Sequence, residues 1–376
     1  MSKKNNYFVT IIFLIIIFIF PVLHVAIKDK KVSVIENRYL EKFPKFTFEN
    51  FTSGEFTKKL NTYLDDHFPY RNFFVSMKTY FDILMGRTDV NGVYLSKNNY
   101  LIEMFTDYNI DLTNRNINLI NKLSKKKNVA VMLVPTSTEV LKSYLPPYST
   151  NVNQKEYLEY VKNNLDSNIK FINPLSMLNS KKTEYIYYLT DHHYTTLGAY
   201  YAYLDFCKNY NILPLKKNDF NIRKISDTFL GSLYSKISLY NQKSDSVYIF
   251  EPKIPNPVVV NYATKISDSL YEFSHLDNPR NHYNVFLDNN HPLIKITTSI
   301  KNGKKLAIIK DSYANSFIPF LTNHFEEIHV IDLRFYNSNI NKYLDEKQLN
   351  DVLFYYNVKN FSEEKSLTFI NTTQGD

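Results

Sequence analysis

The pattern of apolar and polar positions divides the chain into segments of different kinds. A nearly unbroken apolar run covers residues 7–27, and at 21 residues it is long enough to cross a bilayer as a helix. Apolar positions that recur every three or four residues then predict an amphipathic helix over residues 53–66. Short continuous apolar runs follow, separated by further helical patterns. The chain is therefore expected to begin with a membrane anchor and to continue into a folded α/β part.

The folded part is predicted to be a three-layer α/β/α sandwich with a parallel sheet. Helical patterns cover residues 114–125 and 157–165, and unbroken apolar strands are predicted over residues 128–135, 169–172, 306–309, 328–333 and 352–356. Strands of this kind, alternating with helices, favour a parallel sheet that is covered on both faces. Proline residues and short strands over residues 247–250 and 258–260 indicate a β-rich insertion.

These patterns give five predicted segments. In chain order they are an anchor (residues 1–31), a helical lead-in (32–100), the first part of the α/β domain (101–212), the β-rich insertion (213–300) and the second part of the α/β domain (301–376).

Composition narrows the classes of function. With 44% apolar residues, 376 residues are enough for a large packed core. The net charge of +8 comes from 45 basic and 37 acidic residues, but the lysines are dispersed and form no basic stripe, so a nucleic-acid partner is not expected. The single cysteine, Cys207, excludes an internal disulfide framework and a cysteine-based zinc site.

The N-terminal run is predicted to be an uncleaved anchor. Lys3 and Lys4 precede it, and the segment His24-Val25-Ala26 is a poor match to a signal-peptidase site. Only six residues precede the run, whereas about 350 follow it. We therefore expect a single-pass protein of the cell membrane whose catalytic domain is extracytoplasmic.

Two separate motifs carry candidate chemistry. Asp191, His192 and His193 lie in a short polar loop before a predicted helix near Thr196, so that an acid two positions from an imidazole can orient its Nδ1–H. The buried strand over residues 305–309 leads into Lys310-Asp311-Ser312 and then an apolar run, the strand-turn-helix pattern that exposes a nucleophilic hydroxyl. The predicted catalytic residues are Ser312 as nucleophile, His193 as general base and Asp191 as orienting acid.

Together these motifs resemble the DHHW family. The matching segments are Asp191-His192-His193-Tyr194, Lys310-Asp311-Ser312-Tyr313 and Pro319-Phe320-Leu321, and the resemblance extends over about residues 36–357. Tyr194 stands where the family name has tryptophan. Lys310 stands where SGNH hydrolases usually have glycine. The family is similar to the alginate O-acetyltransferases, whose fold is SGNH-hydrolase-like.

The resemblance implies an O-acetyltransferase that works without a cofactor. Its partners would be a membrane-bound O-acyltransferase that supplies acetyl groups and a cell-surface polysaccharide that accepts them. It also suggests candidates for binding substrate or an oxyanion, namely Asn290, Asn315, Tyr313 and His192.

Three other functions remain open at this point. The same fold could serve a carbohydrate acetyl esterase, or a non-catalytic protein that binds or assembles polysaccharide. A metal-dependent phosphoesterase would need the Asp191 loop together with His275, His282 or His291. Such enzymes use additional aspartates, often as Asp-x-Asp, and the sequence contains no such pair. We therefore predict no catalytic metal.

Overall fold

The structure, a computed structural model, describes residues 3–33, 38–237, 239 and 241–371. Its helices are α1 (Lys3–Ala26), α2 (Phe48–Thr52), α3 (Glu55–Asp66), α4 (Arg71–Leu84), α5 (Ile110–Ser124), α6 (Ser137–Val140), α7 (Gln154–Asn164), α8 (Leu175–Ser180), α9 (Thr196–Tyr210), α10 (Ser232–Ile237), α11 (Ile318–Leu321), α12 (Ile340–Glu346) and α13 (Val358–Glu363).

The strands are shorter and concentrate in the second half of the chain. They are β1 (Val32–Ser33), β2 (Arg38–Tyr39), β3 (Asp89–Val90), β4 (Val93–Leu95), β5 (Leu101–Glu103), β6 (Asn128–Val134), β7 (Lys170–Ile172), β8 (Phe220–Phe229), β9 (Asp245–Pro252), β10 (Val258–Asn261), β11 (Ile266–Ser267), β12 (Leu293–Thr298), β13 (Lys305–Lys310), β14 (Glu327–Ile331) and β15 (Asp351–Asn357).

The main sheet has eight strands in the order β11-β10-β12-β14-β13-β15-β6-β7. The five strands from β14 to β7 run parallel, as predicted, whereas β10, β11 and β12 join as antiparallel neighbours, so the predicted parallel sheet is one part of a mixed sheet. The reason is visible in β12, where fully buried residues alternate with half-buried ones. Antiparallel strands tolerate one partly solvated face, whereas parallel strands need both faces covered.

The parallel strands form the core. In β13 every residue from Leu306 to Lys310 is buried, and β15 is buried from Val352 to Asn357. Because successive side chains of a strand point to opposite faces, both faces of these strands are covered. The predicted strands over residues 306–309, 328–333 and 352–356 correspond to β13, β14 and β15.

By internal contacts the chain forms two compact units, Met1–Asn91 with Tyr234–Asn241, and Gly92–Leu233 with Gln242–Asp376. The second unit contains the main sheet. In the first unit, the stretch Tyr7–Ala26 of α1 is long and apolar enough to cross a membrane, and none of it is buried. Residues 213–300, predicted to be β-rich, hold β8 to β12. Strands β8 and β9 form a separate antiparallel pair.

Candidate active site

The loop that carries Asp191 and His193 is held at its C-terminal end by the start of α9. Thr195 caps that helix, because its Oγ1 accepts a hydrogen bond from the Gly198 N–H at 3.3 Å. A Cβ added at Gly198 would lie 2.3 Å from the Ile186 carbonyl oxygen. Only glycine lets α9 approach so closely, and the loop is therefore short and fixed.

At its N-terminal end the loop is bound by the buried carboxylate of Asp245, from β9. Asp245 accepts hydrogen bonds from the Leu189 N–H at 2.6 Å, the Thr190 N–H at 2.8 Å and the Thr190 hydroxyl at 2.5 Å. Burial raises the pKa of Asp245 to about 6, although these donors oppose the shift. A strand from the predicted insertion thus positions the loop.

Asp191, His193 and Ser312 form a continuous chain of hydrogen bonds. Asp191 Oδ1 lies 2.5 Å from His193 Nδ1, and His193 Nε2 lies 2.8 Å from Ser312 Oγ. The His193 N–H donates to the same Asp191 oxygen at 3.0 Å. The fold therefore brings together the three predicted catalytic side chains, although 119 residues separate His193 from Ser312.

The turn after β13 presents Ser312. Asp311 fixes this turn, since its carboxylate accepts hydrogen bonds from the Tyr313 N–H at 2.9 Å, from both nitrogens of Asn357 at 2.9 and 3.0 Å, and from Asn360 Nδ2 at 2.8 Å. The predicted helix after the nucleophile is a 3-10 turn over Ser312–Ser316 followed by the short α11. Tyr313, a predicted candidate for binding substrate or an oxyanion, therefore has its N–H bound by the Asp311 carboxylate.

The electrostatics of the loop keep His193 neutral at neutral pH. Burial lowers the pKa of His193 to about 4, with His192 acting in the same direction and Asp191 opposing it. Burial would raise the pKa of Asp191, but the two imidazoles and the Ser232 N–H, 2.7 Å from Asp191 Oδ2, hold it well below its usual range. The loop therefore pairs an ionised acid with an imidazole that can accept a proton.

His192, a predicted candidate for binding substrate or an oxyanion, lies beside His193. Its ring centroid lies 3.9 Å from that of His193. Ser232 Oγ lies 2.8 Å from His192 Nδ1. The His192 side chain is 28% exposed, so it can contact a bound substrate.

Asn290 and Asn315 surround Lys310. The Lys310 ammonium is fully buried and donates to Asn290 Oδ1 at 2.6 Å and to Asn315 Oδ1 at 2.8 Å, while Asp332 Oδ2 lies 3.5 Å away. Burial lowers the pKa of Lys310 to about 8, against the influence of Asp332. Among the hydrogen bonds of the described residues, none joins either amide to Ser312. The two amides therefore hold the lysine that precedes Asp311 and Ser312.

Tyr283 is a site residue that sequence reasoning missed. Its ring stacks on His193 with centroids 3.8 Å apart and an angle of 13°, and its hydroxyl donates to the Ser312 carbonyl at 2.9 Å. Tyr283 lies in the predicted insertion, where no local motif marks it. A second tyrosine, Tyr194, stands at the position of the family's tryptophan. Its hydroxyl donates to the Tyr313 carbonyl at 2.6 Å.

A narrow cleft opens beside the loop. Its lining includes His192, Tyr313 and an ion pair between Lys359 Nζ and Glu103 Oε1 at 3.1 Å, with Glu103, Phe105, Thr136, Ser137, Asn357 and Lys359 on its remaining walls. The free volume of this cleft is about 10 Å³, which is room for roughly one water molecule.

The same loop contains the candidate metal ligands. Ligand atoms of Asp191, His192 and His193 lie within 4.8 Å of one another. Both ring nitrogens of His193 are hydrogen-bonded, however, so metal binding would require His193 to give up Asp191 or Ser312. The remaining histidines of the metal hypothesis have other partners: His275 and His291 contact Asp288, and His282 contacts Ser226.

A comparison with protein-family models matches residues 90–331 to the DHHW protein family, which is more than half of the chain. This chain belongs to the DHHW family. The match includes both motifs, from the Asp191 loop to the Ser312 turn. A search of curated proteins found no match.

Solved structures with a similar fold include two bacterial proteins. A DHHW family protein from Eubacterium siraeum aligns with a TM-score of 0.65 and 23% identity, over 77% of this chain and 98% of its own. PatB1 from Bacillus cereus, in a structure with a sulfonyl adduct, aligns with a TM-score of 0.63 and 20% identity, over 74% of this chain and 97% of its own. Both structures therefore share the α/β fold of this chain.

Proposed function

We propose that this DHHW protein is a membrane-anchored O-acetyltransferase that transfers acetyl groups to hydroxyls of a cell-surface polysaccharide. The observation that carries the proposal is the hydrogen-bonded chain from Asp191 through His193 to Ser312, with distances of 2.5 and 2.8 Å. Its setting would be an SGNH-hydrolase-like α/β/α sandwich, the fold that the family resemblance implies.

The reaction would proceed in two steps through one base. Ser312 Oγ attacks the carbonyl carbon of an acetyl donor while His193 Nε2 takes the hydroxyl proton, and that proton then leaves with the donor group. In the second step, His193 takes the proton of an acceptor hydroxyl, whose oxygen attacks the acetyl-Ser312 ester. Ser312 leaves with the proton from His193, so the enzyme is restored. Asp191 holds the imidazole in the tautomer that both steps need.

Transfer instead of hydrolysis requires a hydroxyl to be placed where water would otherwise react. His192 supports this requirement, because its side chain is 28% exposed and its ring lies 3.9 Å from that of His193, where it can contact an acceptor hydroxyl.

The anchor supports an extracytoplasmic location for the reaction. Helix α1 would cross the cell membrane once and leave the catalytic part outside. Acetyl donors are made in the cytoplasm, so a membrane-bound O-acyltransferase would have to carry the acetyl group across the bilayer.

The test is covalent trapping of the nucleophile in the purified full chain. PatB1 carries a sulfonyl adduct in its structure, which makes a sulfonyl fluoride the natural reagent. We expect one adduct per chain, mapped to Ser312 by peptide mass spectrometry, and release of acetate from p-nitrophenyl acetate. Ser312→Ala should abolish labelling and lower kcat by about 10⁴-fold or more.

Ser137→Ala provides the matched control, because Ser137 is a buried serine outside the hydrogen-bonded chain of Asp191, His193 and Ser312, and its loss should leave Ser312 labelling intact. Labelling at a site other than Ser312, or unchanged turnover in a folded Ser312→Ala variant, would reject the acyl-enzyme. Turnover that is lost to a chelator and restored by a divalent metal would favour the phosphoesterase hypothesis.

A further inference from the structure

Helix α4 of the first unit exposes its apolar side and buries its polar side. Ser76 and Thr79 are each 3% exposed, whereas Phe73, Phe81 and Leu84 are 52%, 62% and 83% exposed. In a water-soluble domain the opposite arrangement is expected. The arrangement is the reverse of that expected for a helix that packs its apolar side against a core.

The buried polar residues have a structural reason to face inward. Thr79 Oγ1 donates to the Val75 carbonyl at 3.1 Å and to the Ile237 carbonyl at 3.3 Å, both within the first unit. The exposed side forms one stripe at helical spacing, which consists of Phe73, Phe74, Met77, Tyr80, Phe81 and Leu84. Lys78, whose side chain is 72% exposed, lies at the border of the stripe and pairs with Asp82 at 3.2 Å.

Ring contacts connect this helix to the candidate membrane span. Phe20 of α1 stacks on Phe68 at 5.1 Å and contacts Phe74, the second residue of the stripe, at 5.9 Å. Phe20 lies six residues before Ala26, the end of the apolar stretch, which corresponds to about 9 Å along a helix that rises 1.5 Å per residue. Phe74 therefore lies beside the apolar stretch and not beyond its end.

We propose that the apolar stripe of α4 is immersed in the lipid bilayer beside α1, so that the first unit is held in the membrane by a span and an interfacial helix. The proposal rests on the membrane anchor of the proposed function. Because the stripe is continuous with the span, we identify lipid as the medium that covers it. An amphipathic helix with aromatic residues on one side and a lysine at the border of that side is also typical of the headgroup boundary.

The chain contains no tryptophan, so a single introduced tryptophan reports on one position. The experiment places Phe81→Trp in the full chain, reconstituted in vesicles of brominated phosphatidylcholine with phosphatidylglycerol. Brominated acyl chains quench tryptophan only on contact. Phe81→Trp should lose the same fraction of its emission as Phe18→Trp, a position 64% exposed within the span. Tyr148→Trp, on a fully exposed residue of the second unit, should be quenched by aqueous acrylamide instead.

Two results would overturn the proposal while leaving the anchor in place. Phe81→Trp could behave as Tyr148→Trp does, which would put α4 in water. It could also be shielded from both quenchers, which would mean that another protein surface, such as a second copy of this chain, covers the stripe. Failure of Phe18→Trp to be quenched by brominated lipid would reject the anchor itself and the α4 proposal with it.

Discussion

At the scale of single residues, the surroundings of the His193 ring determine what the site can do. Asp191 and Ser312 bind its two nitrogens, Tyr283 stacks on its face and His192 lies 3.9 Å away. Three of these neighbours have separable effects on the ring: Asp191 orients it, Tyr283 fixes its plane and His192 lowers its pKa.

Tyr283 is expected to act as a positioning residue. Tyr283→Phe keeps the stack on His193 and removes the hydrogen bond to the Ser312 carbonyl, which is worth about 1 kcal/mol. We expect kcat for the activated ester to fall about fivefold with KM unchanged. Tyr283→Leu, which also removes the stack, should lower kcat further.

Tyr271→Phe is the matched control for that prediction. The Tyr271 hydroxyl donates to the Phe250 carbonyl at 3.3 Å, so the variant loses a comparable hydrogen bond in the same segment. Its kcat should equal that of the wild type. A Tyr283→Phe variant with wild-type kcat would show that the Ser312 carbonyl needs no such support.

The lowered pKa of His193 predicts an unusual pH dependence. A protonated imidazole cannot accept the Ser312 proton, so kcat/KM falls only when the pH approaches the pKa of the free enzyme. With a pKa near 4, activity should persist well below 6.5, the ordinary value for histidine. Because His192 helps to lower this pKa, His192→Ala should move the acid limb to higher pH.

The measurement is kcat/KM as a function of pH for both proteins, with near-ultraviolet circular dichroism to confirm folding at each point. Wild-type activity that halves near pH 6.5 would contradict the burial argument. An acid limb that does not move in His192→Ala would mean that the second imidazole has no electrostatic effect on the first.

At the scale of elements, the segment between β8 and β9 holds the Asp191 loop. The Gly231 N–H donates to Thr190 Oγ1 at 2.9 Å, the Ser232 N–H to Asp191 Oδ2 at 2.7 Å and the Leu233 N–H to the Thr190 carbonyl at 3.0 Å. Asp245 at the start of β9 adds its own hydrogen bonds to the loop. The strand pair therefore acts as a support for the acid, beyond any role in shaping a groove.

Gly231→Ala tests this support. A Cβ at Gly231 would lie 2.2 Å from Asp191 Cβ, so the segment must withdraw from the acid and its N–H groups must move with it. We expect kcat to fall at least about tenfold, because Asp191 loses a charge-assisted hydrogen bond of about 1.5–3 kcal/mol. The assay is turnover of the activated ester together with the melting temperature.

Gly303→Ala separates the clash from the general effect of replacing glycine. Gly303 has φ +69° and no neighbour within 4 Å of an added Cβ, so this variant has backbone strain of about 1 kcal/mol and no clash. It should lower the melting temperature and leave kcat unchanged. Equal kcat in Gly231→Ala and the wild type would mean that the strand pair does not position Asp191.

The sequence predicted those parts of the site that local patterns encode. Asp191 and His193 lie two residues apart, and Ser312 follows an unbroken apolar strand, so each is marked by its neighbours in the chain. Tyr283 and Asp245 act across the fold from segments without a comparable local signal. The antiparallel pairing of β12 was also not predicted. Its partner is β14, which follows β13 in the chain, so no pattern within β12 shows the pairing.

At the scale of the whole molecule, the N-terminal run is predicted to be part of the folded protein. A removable signal peptide has an apolar core of about 7–15 residues, whereas the stretch Tyr7–Ala26 has 20 residues. Its last turns also contact other parts of the first unit. Phe20 stacks on Phe68, and the ring centroids of His24 and Tyr63 lie 5.7 Å apart. Cleavage after Ala26 would remove both contacts and leave these aromatic rings without partners from α1.

We therefore expect protein purified from membranes to retain this run. Peptides from within residues 7–27 should be recovered from it by mass spectrometry after digestion in detergent. Extraction should require detergent, and washing with high salt or carbonate should not release the protein, because burial of a 20-residue apolar helix is insensitive to ionic strength. The anchor would be rejected if the protein washed off the membrane and its mature N-terminus lay at Ile27 or beyond. That result would not bear on the arrangement of Asp191, His193 and Ser312 in the second unit.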